Sequence, residues 1–231
     1  MTNLRLKEFF DGVKAEIPIL FGVIPFGMIY GVYGIQAGLT PDVTQAMSSI
    51  VFAGSAQFAT AVLLRQYTPA LVIIITAAVL NLRHAFYSAS LAPQIQRLSK
   101  AWKFLLSYLL TDEAYAVTVV RYQKEDTLPG GDYRHWFFLG AGLTLWTGWQ
   151  ISTATGIFLG MEVPKSWSLD YTLVLTFIGI VIPTLKDRAN ILTALAAGLV
   201  AVVFAGLPYK LGLIIATATG IMTGIFTEKS V

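Results

Sequence analysis

Long apolar runs separated by short polar stretches cover most of the chain. Eight runs of 16 to 24 residues are present, and we number them segments 1 to 8. They span residues 17–36, 43–64, 70–91, 103–120, 136–159, 169–185, 190–207 and 211–226. A helix needs about 20 mainly apolar residues to cross a bilayer, and lipid cannot satisfy an open backbone. The pattern therefore predicts an all-α polytopic membrane protein with about eight transmembrane helices, which form a single transmembrane domain over residues 1–231.

The composition excludes other classes of protein. Of the 231 residues, 55% are hydrophobic and 13% are charged, whereas soluble domains carry about 25% charge. An ordinary cytosolic enzyme and a disordered chain are therefore excluded. The absence of cysteine excludes a disulfide scaffold and thiolate metal sites. Because no small-residue cleavage site follows the first apolar run, we expect a retained span rather than a signal peptide.

The distribution of Lys and Arg predicts the orientation. With eight crossings and a cytoplasmic N-terminus, ten of these residues lie in inner segments and five in outer loops. The inner ones are Arg5, Lys7, Lys14, Arg65, Arg121, Lys124, Arg134, Lys186, Arg188 and Lys229, and the outer ones are Arg97, Lys100, Lys103, Lys165 and Lys210. A re-entrant segment 2 would change the balance to eight against seven. Since cytoplasmic loops collect basic residues, we expect eight crossings with both termini in the cytoplasm, and the outer loop 97–103 is discordant.

Segment 1 combines a proline with glycines on one helical face. Gly27 and Gly31 begin a run of glycines spaced by three or four residues, which lets another helix approach closely. Pro25 lacks a backbone N–H, so we expect it to kink or break the helix. Two interpretations stay open, a packing seam with a harmless kink and a hinge beside a substrate. Glu16, at the predicted cytoplasmic edge, is interpreted as a helix-start residue.

Segment 2 has small and polar residues at its centre. Gly54 and Ser55 lower the cost of local unwinding, and Gln57 places an amide near the bilayer midplane. Unwound backbone at this depth is tolerated when it lies within protein or lines a cavity, and transporters use such breaks to bind carboxylates and amines. Substrate binding and ordinary hydrogen bonding between helices are both open, and so is whether segment 2 is broken or re-entrant.

Segments 3 and 4 carry the deepest charges. Segment 3 contains Asn81, Arg83, His84 and Tyr87, and segment 4 contains Asp112 and Glu113. A charge at a helix centre costs about 2.5–3.5 kcal/mol, so such groups are normally paired. At roughly 1.5 Å per residue, Arg83 and Asp112 both lie about 12–14 Å below the same surface. We therefore predict a pair of Arg83 with Asp112 or Glu113, which is either a structural ion pair or a midplane site for substrate and protons.

The remaining patterns are weaker. Gly34-Ile35-x-x-Gly38 is similar to Gly156-Ile157-x-x-Gly160, which indicates a weak internal repeat of segments 1–4 and 5–8. The chain has no phosphate-binding loop, no H-E-x-x-H and no G-x-S-x-G motif. We therefore expect neither an enzyme nor a cofactor or metal site.

Together these motifs resemble the AzlC family of branched-chain amino-acid permeases. The matching pieces are Glu16-x-Pro18 leading into Gly22-x-x-Pro25-Phe26-Gly27, then Phe52-Ala-Gly-Ser-Ala-Gln-Phe58, Asn81-Leu-Arg83-His84-x-x-Tyr87 and Thr111-Asp112-Glu113. They occur in this order over about the first half of the chain, and the second half matches in length and hydropathy. The resemblance implies a secondary transporter of the bacterial cytoplasmic membrane that exports leucine, isoleucine and valine. It also implies a small hydrophobic partner subunit of the AzlD type.

The leading hypothesis is proton-driven export of these amino acids. The substrate-binding candidates are Gly54, Ser55, Gln57, Asn81, Arg83 and Tyr87, and the candidates for proton coupling or an ion pair are His84, Asp112 and Glu113. A hydrophobic pocket discriminates between two side chains that differ by one methylene by only about 1–3 kcal/mol. We therefore expect overlapping specificity for leucine, isoleucine, valine and methionine. A transporter or channel for another small solute and a non-transporting membrane subunit are the alternatives.

Overall fold

The computed structural model describes residues 2–123, 132–162, 185, 187–207 and 211–228. Every regular element in these ranges is a helix, which confirms the all-α class. The helices are α1 (Thr2–Gln36), α2 (Pro41–Ile50), α3 (Gly54–Arg65), α4 (Ala70–Ile95), α5 (Lys100–Tyr108), α6 (Asp112–Gln123), α7 (Arg134–Glu162), α8 (Arg188–Val203) and α9 (Leu211–Glu228). Segment 6 lies outside the described residues except at its last position, Leu185.

The described helices are consistent with a polytopic membrane protein. Within these ranges, Leu4–Gln36 and Ala70–Ile95 are long and apolar enough to cross a bilayer by length and composition, and Arg188–Val203 and Leu211–Thr227 are shorter apolar helices. The chain forms two compact units. The first contains α1 to α3, α4 from Ile73 onward, and α5 to α7, and the second contains residues 66–72 with α8 and α9. A single domain over 1–231 stays a prediction.

Helices α1 and α7 run parallel in a tight seam. A Cβ on Gly12 would lie 2.1 Å from the carbonyl oxygen of Phe137, and one on Gly156 would lie 2.0 Å from that of Met28. The lower-numbered half of α1 thus meets the lower-numbered half of α7, and the upper halves meet likewise. Because only glycine permits backbones to approach this closely, these positions determine how the two longest helices pack.

Segment 2 folds as two short helices instead of one. Helix α2 ends at Ile50 and α3 begins at Gly54, and Phe52 between them has a positive φ of 44°. Gln57 Nε2 donates to Ser48 Oγ at 2.9 Å across nine residues, a distance that would be roughly 13–14 Å along a continuous helix. The chain therefore turns sharply between α2 and α3.

This turn brings segment 2 back toward the end of α1 where it began. Thr44 of α2 lies against Gly34, close to the end of α1. At the turn, Gly54 lies against Phe26, about two helical turns earlier on α1. One turn into α3, the Phe58 ring lies 4.7 Å from that of Phe26 and 6.2 Å from that of Tyr33, so α3 leads from the level of Phe26 toward the end of α1. Segment 2 is therefore re-entrant, which answers the question that the sequence left open.

Segment 4 has the same form but enters from the opposite end. The ring of Trp102 in α5 is 5.0 Å from that of Trp136, near the start of α7. At the other end of segment 4, Arg134 Nη1 donates to the carbonyl oxygen of Tyr122 in α6 at 3.1 Å. Between these ends, Leu109 reaches Gly142, further along α7. Both ends of segment 4 thus lie against the first residues of α7.

The first unit therefore alternates three long helices with two re-entrant pairs. Helices α1, α4 and α7 are the long ones, and α2–α3 and α5–α6 are the pairs. The expectation of eight crossings is therefore corrected for segments 2 and 4. The physical reason is that each segment contains its own helix start: Gln57 Oε1 accepts from Ala53 N–H at 3.2 Å before α3, and Asp112 at the start of α6 favours the positive end of that helix.

The re-entrant pairs change the side of the membrane on which the discordant basic loop 97–103 is expected. Of the described Lys and Arg residues of the first unit, those near the start of α1 and α7 are Arg5, Lys7, Lys14, Arg97, Lys100, Lys103, Arg121 and Arg134. Arg65, at the end of α3, lies at the opposite end, and Arg83 lies between. The loop 97–103, expected on the side opposite the N-terminus, is therefore on the same side, because segment 2 does not cross. In the proposed repeat, segment 6 is the counterpart of segment 2, and it lies outside the described residues except at Leu185, so the repeat stays a prediction.

Candidate functional site

Arg83 of α4 joins the starts of two half-helices. Its Nη1 lies 2.6 Å from Asp112 Oδ2 at the first residue of α6, and its Nη2 donates to Ser55 Oγ, in the first turn of α3, at 2.8 Å. The predicted pairing of Arg83 with a segment 4 carboxylate is thus confirmed for Asp112. Since helix N-termini carry partial positive charge, this junction combines a guanidinium with two positive helix ends around the Asp112 carboxylate, and Glu113 follows in the same turn of α6.

The junction retains polar atoms without partners. Arg83 Nε, Asp112 Oδ1 and Asn81 Oδ1 are buried and make no hydrogen bond. The first is a donor and the other two are acceptors. Unsatisfied buried polar groups are costly and call for an explanation. The Arg83 and Asp112 side chains as wholes are partly exposed, at 32% and 39%, so a small polar molecule can reach the edge of the ion pair beside these covered atoms.

Aromatic rings form one wall of this junction. Tyr87 of α4 stacks on Tyr115 of α6 with centroids 4.4 Å apart, and the Tyr115 hydroxyl is 2.9 Å from that of Ser90. The His84 ring lies 6.2 Å from that of Tyr87. Tyr87 and His84 are therefore close to the ion pair, as the sequence predicted from their spacing on α4, and the wall offers an apolar surface with hydroxyl groups at its edge.

The turns of the two re-entrant pairs touch each other. The Tyr108 hydroxyl, at the end of α5, donates to the carbonyl oxygen of Ser49 in α2. Trp146 Nε1 of α7 donates to the same hydroxyl at 2.7 Å, and the Phe52 ring lies 6.1 Å from that of Tyr108. The Arg83 junction thus lies beside a point where two interrupted helices meet, an arrangement in which exposed backbone groups line a site instead of lipid.

Gln57 has a different place from the one expected for a substrate ligand. It is fully buried, its Nε2 donates to Ser48 Oγ, and its Oε1 accepts from Ala53 N–H. Ser48 Oγ also receives a hydrogen bond from Trp149 Nε1 at 3.1 Å and contacts Thr153 Oγ1 at 2.9 Å. The Gln57 amide therefore holds the turn between α2 and α3 against α7. Of the three segment 2 candidates, Ser55 is the one whose side chain bonds to Arg83.

The small residues of segments 1 and 2 lie at helix contacts. A Cβ on Gly27 would be 2.1 Å from Ser152 Oγ, one on Gly31 would be 2.4 Å from the Thr153 carbonyl oxygen, and one on Gly54 would be 3.0 Å from the Trp149 ring. Helix α1 continues through Pro25 without a break. The geometry at Gly27 and Gly31 thus agrees with a packing seam. Of the two outcomes expected at Pro25, the break is absent, and the kink stays a prediction.

Two carboxylates of α1 are buried, and the sequence interpretation missed both. Glu8 is 2% exposed and pairs with Arg121 of α6, which donates from Nη2 to Oε1 at 2.6 Å and from Nε to Oε2 at 3.1 Å. Glu16 is 0% exposed, and neither carboxylate oxygen has a hydrogen-bond partner. Glu16 is therefore not a solvated helix-start residue, since α1 begins at Thr2.

A signal for these buried acids was present in the sequence. Glu8, Gly12, Glu16 and Leu20 are spaced by four residues and so share one face of α1. Gly12 marks this face as one that packs closely. Glu113, adjacent to Asp112 at the start of α6, is close enough to act electrostatically on Glu16. Among the described residues, no group of three or more His, Asp or Glu side chains could hold a metal ion.

Comparison with known proteins agrees with the resemblance in the sequence motifs. The family model described as "AzlC protein" matches residues 18–163. The chain is 24% identical to the inner membrane protein YgaZ of Escherichia coli K12 over 95% of this chain and 89% of that protein. It is 29% identical to an uncharacterized membrane protein of Archaeoglobus fulgidus over 88% of each.

A third relative carries a functional name. The branched-chain amino acid transport protein AzlC of Bacillus subtilis is 28% identical over 72% of this chain and 63% of that protein. No solved structure matches the chain significantly. The family model spans well over half of the chain and includes α2 to α6, so it covers both re-entrant pairs and the Arg83 junction. This chain is a membrane protein of the AzlC family with a role in membrane transport.

Proposed function

We propose that this chain is a secondary-active exporter of branched-chain and other hydrophobic amino acids, with the substrate bound at the Arg83 junction. The observation that carries the proposal is the set of unpartnered atoms there, Arg83 Nε, Asp112 Oδ1 and Asn81 Oδ1. A zwitterionic amino acid has one group that accepts hydrogen bonds and one that donates them. Its carboxylate matches the Arg83 donor, and its ammonium group matches the two acceptors.

The surroundings of the junction also suit an amino acid. The first turns of α3 and α6 present positive helix ends, which stabilise a carboxylate. The Tyr87 and Tyr115 rings offer an apolar surface for an aliphatic side chain. The relative from Bacillus subtilis is named for branched-chain amino acid transport, and it supplies the substrate class. The same junction could accept another small zwitterion, which is the alternative function.

Direction, energy source and partner complete the proposal. We infer that the end with Arg5, Arg97, Arg121 and Arg134 faces the cytoplasm, because cytoplasmic ends collect basic residues. Both termini would then be cytoplasmic in the bacterial inner membrane, since eight segments with two re-entrant ones leave an even number of crossings. We further infer proton-driven export without enzymatic chemistry, in a complex with a small hydrophobic subunit of the AzlD type.

Counterflow of labelled leucine in proteoliposomes tests the proposal. The chain is reconstituted with and without the small subunit, loaded with unlabelled leucine, and compared with Arg83→Ala, Asp112→Asn and Arg97→Gln. Arg97 is exposed on the loop after α4 and serves as the control for loss of an arginine. We expect leucine entry with the wild type and Arg97→Gln, and a loss of at least about tenfold with the two junction variants. Equal counterflow in all four proteins would contradict the site.

A further inference from the structure

Glu16 is a buried acid that the proposed substrate site does not use. Its side chain is 0% exposed, and Oε1 and Oε2 have no hydrogen-bond partner. It shares a helical face with Gly12, which packs against the backbone of Phe137, and with Leu20, which packs against Gly148. Glu16 therefore lies between two close contacts of α1 with α7, where water does not solvate a charge. A buried carboxylate without a partner is among the costliest groups in a protein.

The contrast with Glu8 shows what is missing at Glu16. Both acids are on the same face of α1, two turns apart, and both are buried. Glu8 is neutralised by two hydrogen bonds from Arg121 of α6. Glu16 lies eight residues after Glu8 on α1, and Glu113 lies eight residues before Arg121 on α6. Because α6 runs toward the start of α7 and so antiparallel to α1, equal steps from the Glu8–Arg121 pair bring Glu16 and Glu113 to about the same level. A second acid therefore lies where the first acid has an arginine.

The other charged groups near this acid pair lie on the substrate side. Asp112 and Arg83 both act electrostatically on Glu113. From α7, the facing stretch 140–148 contains no titratable side chain. Glu113 also has hydrogen bonds from the Thr111 side chain and from its own backbone, whereas Glu16 has none. Ionisation of both acids at one level of this contact is costly because Glu16 is buried and both charges are negative, and one shared proton removes that cost.

We propose that Glu16 and Glu113 together hold one exchangeable proton, and that this proton is the one exchanged for the amino acid during transport. The link is the position of Glu113, which adjoins Asp112 in the chain. Loss of the proton adds a negative charge beside the proposed ammonium site and favours substrate binding. Gain of the proton removes that charge and favours substrate release, and this linkage is reciprocal. The coupling rests on the proposed transport function, whereas the proton site itself does not.

Infrared spectroscopy tests the proton site without any substrate. A protonated carboxyl group absorbs apart from a carboxylate and shifts in heavy water. We expect the wild-type protein at neutral pH to show such a band, and Glu16→Gln to lose it. The matched control is Glu162→Gln, which changes an exposed acid at the end of α7 and should keep the band. Absence of the band from the wild type, or its persistence in Glu16→Gln, would overturn the proposal.

Proton flux tests the coupling. Wild type, Glu16→Gln, Glu16→Asp and Glu162→Gln are reconstituted, and leucine flux and leucine-dependent proton flux are measured in the same vesicles. We expect the ratio of proton flux to leucine flux to fall at least about tenfold in Glu16→Gln, and to recover in part in Glu16→Asp. An unchanged ratio in Glu16→Gln, or sodium in place of protons as the coupled ion, would overturn the coupling. Absence of leucine flux in the wild type would instead contradict the proposed function and leave the infrared result to decide the proton site.

Discussion

Arg83 in the middle of α4 and Asp112 at the first residue of α6 form an ion pair of 2.6 Å beside the meeting point of two re-entrant helix pairs. A pair on two uninterrupted crossing helices would only tie those helices together. Here Asp112 occupies the start of a half-helix, and Arg83 also bonds to the start of the other half-helix through Ser55. The Arg83–Asp112 ion pair therefore links α4 to the starts of α3 and α6. A movement of either re-entrant helix pair would act on α4 through Arg83.

A double variant that removes the charges of both Arg83 and Asp112 distinguishes a structural role of the ion pair from a role in substrate binding. Loss of one partner of a fully buried pair costs about 3–5 kcal/mol. The cost here is smaller because each side chain is about one third exposed. We expect Arg83→Gln and Asp112→Asn each to lower the melting temperature, and the double variant to recover stability without recovering leucine counterflow. A double variant that transports at the wild-type rate would show that the pair is only structural.

The seam between α1 and α7 should tolerate no side chain at its closest point. A Cβ on Gly156 would lie 2.0 Å from the Met28 carbonyl oxygen, whereas one on Gly22 would meet nothing within 4 Å. Overpacking typically costs about 1–3 kcal/mol. We expect Gly156→Ala to lower the melting temperature in detergent and Gly22→Ala to leave it nearly unchanged. Equal melting temperatures for the two variants would contradict the packing of α1 on α7.

The re-entrant pairs make a sharp prediction for surface labelling. The chain contains no cysteine, so single cysteines can be introduced at Tyr67 and Arg97, which lie in turns and are exposed. We expect a membrane-impermeant thiol reagent to label Tyr67→Cys from the periplasm and Arg97→Cys only after the cytoplasmic side is opened. Eight uninterrupted crossings predict the reverse for both positions. Arg5→Cys, near the start of α1, is the reference for the side on which we expect Arg97→Cys to be labelled.

The start of α7 should contribute stability that depends on pH. Asp132 accepts hydrogen bonds from Arg134 N–H at 3.0 Å and from Arg134 Nε at 2.9 Å, and these bonds hold the pKa of Asp132 below its usual value of 3.8. A carboxylate with a lowered pKa stabilises the folded state above its unfolded pKa, and this contribution is lost as pH falls through the folded value. We therefore expect the melting temperature of the wild type to exceed that of Asp132→Asn near neutral pH. The difference should begin to shrink near pH 4, the ordinary range of an aspartate pKa, and should vanish once the pH is below the lowered pKa of Asp132 in the folded state. A difference that persists in acid would contradict this role.

Much of the fold was predictable because apolar run length reports helices in a membrane directly. The run at segment 1 forms the later part of α1, which begins at Thr2, and the matching depths predicted that Arg83 pairs with Asp112 or Glu113. The depths of Arg83 and Asp112 were both counted from the loop that joins segments 3 and 4. They match whether or not segment 4 crosses the bilayer, because both residues are measured from the same surface.

The predictions of crossings by segments 2 and 4 were wrong for one physical reason. Hydropathy indicates which residues are buried, but it does not indicate in which direction the chain runs. Segment 4 is apolar enough to cross, yet Trp102 and the carbonyl of Tyr122 both lie at the start of α7. Hydrogen bonds such as those of Gln57 hold the turn at which the chain reverses within a segment. The spacing of apolar residues along the sequence does not reveal them. Glu16 was misplaced for the same reason, since its depth depends on α1 beginning at Thr2 and not near residue 17.

The central claim is that Arg83, Asp112 and Asn81 bind both charged groups of an amino acid. It is tested most directly by competition against leucine counterflow with two leucine analogues, one lacking the ammonium group (4-methylpentanoate) and one lacking the carboxylate (3-methylbutylamine). A site built from polar partners rejects analogues that leave those partners unpaired. We expect each analogue to inhibit leucine counterflow in the wild type at least about tenfold more weakly than leucine does. In Asp112→Asn, we expect the difference in inhibition between leucine and 4-methylpentanoate to become smaller. Equal inhibition by leucine and both analogues in the wild type would contradict it.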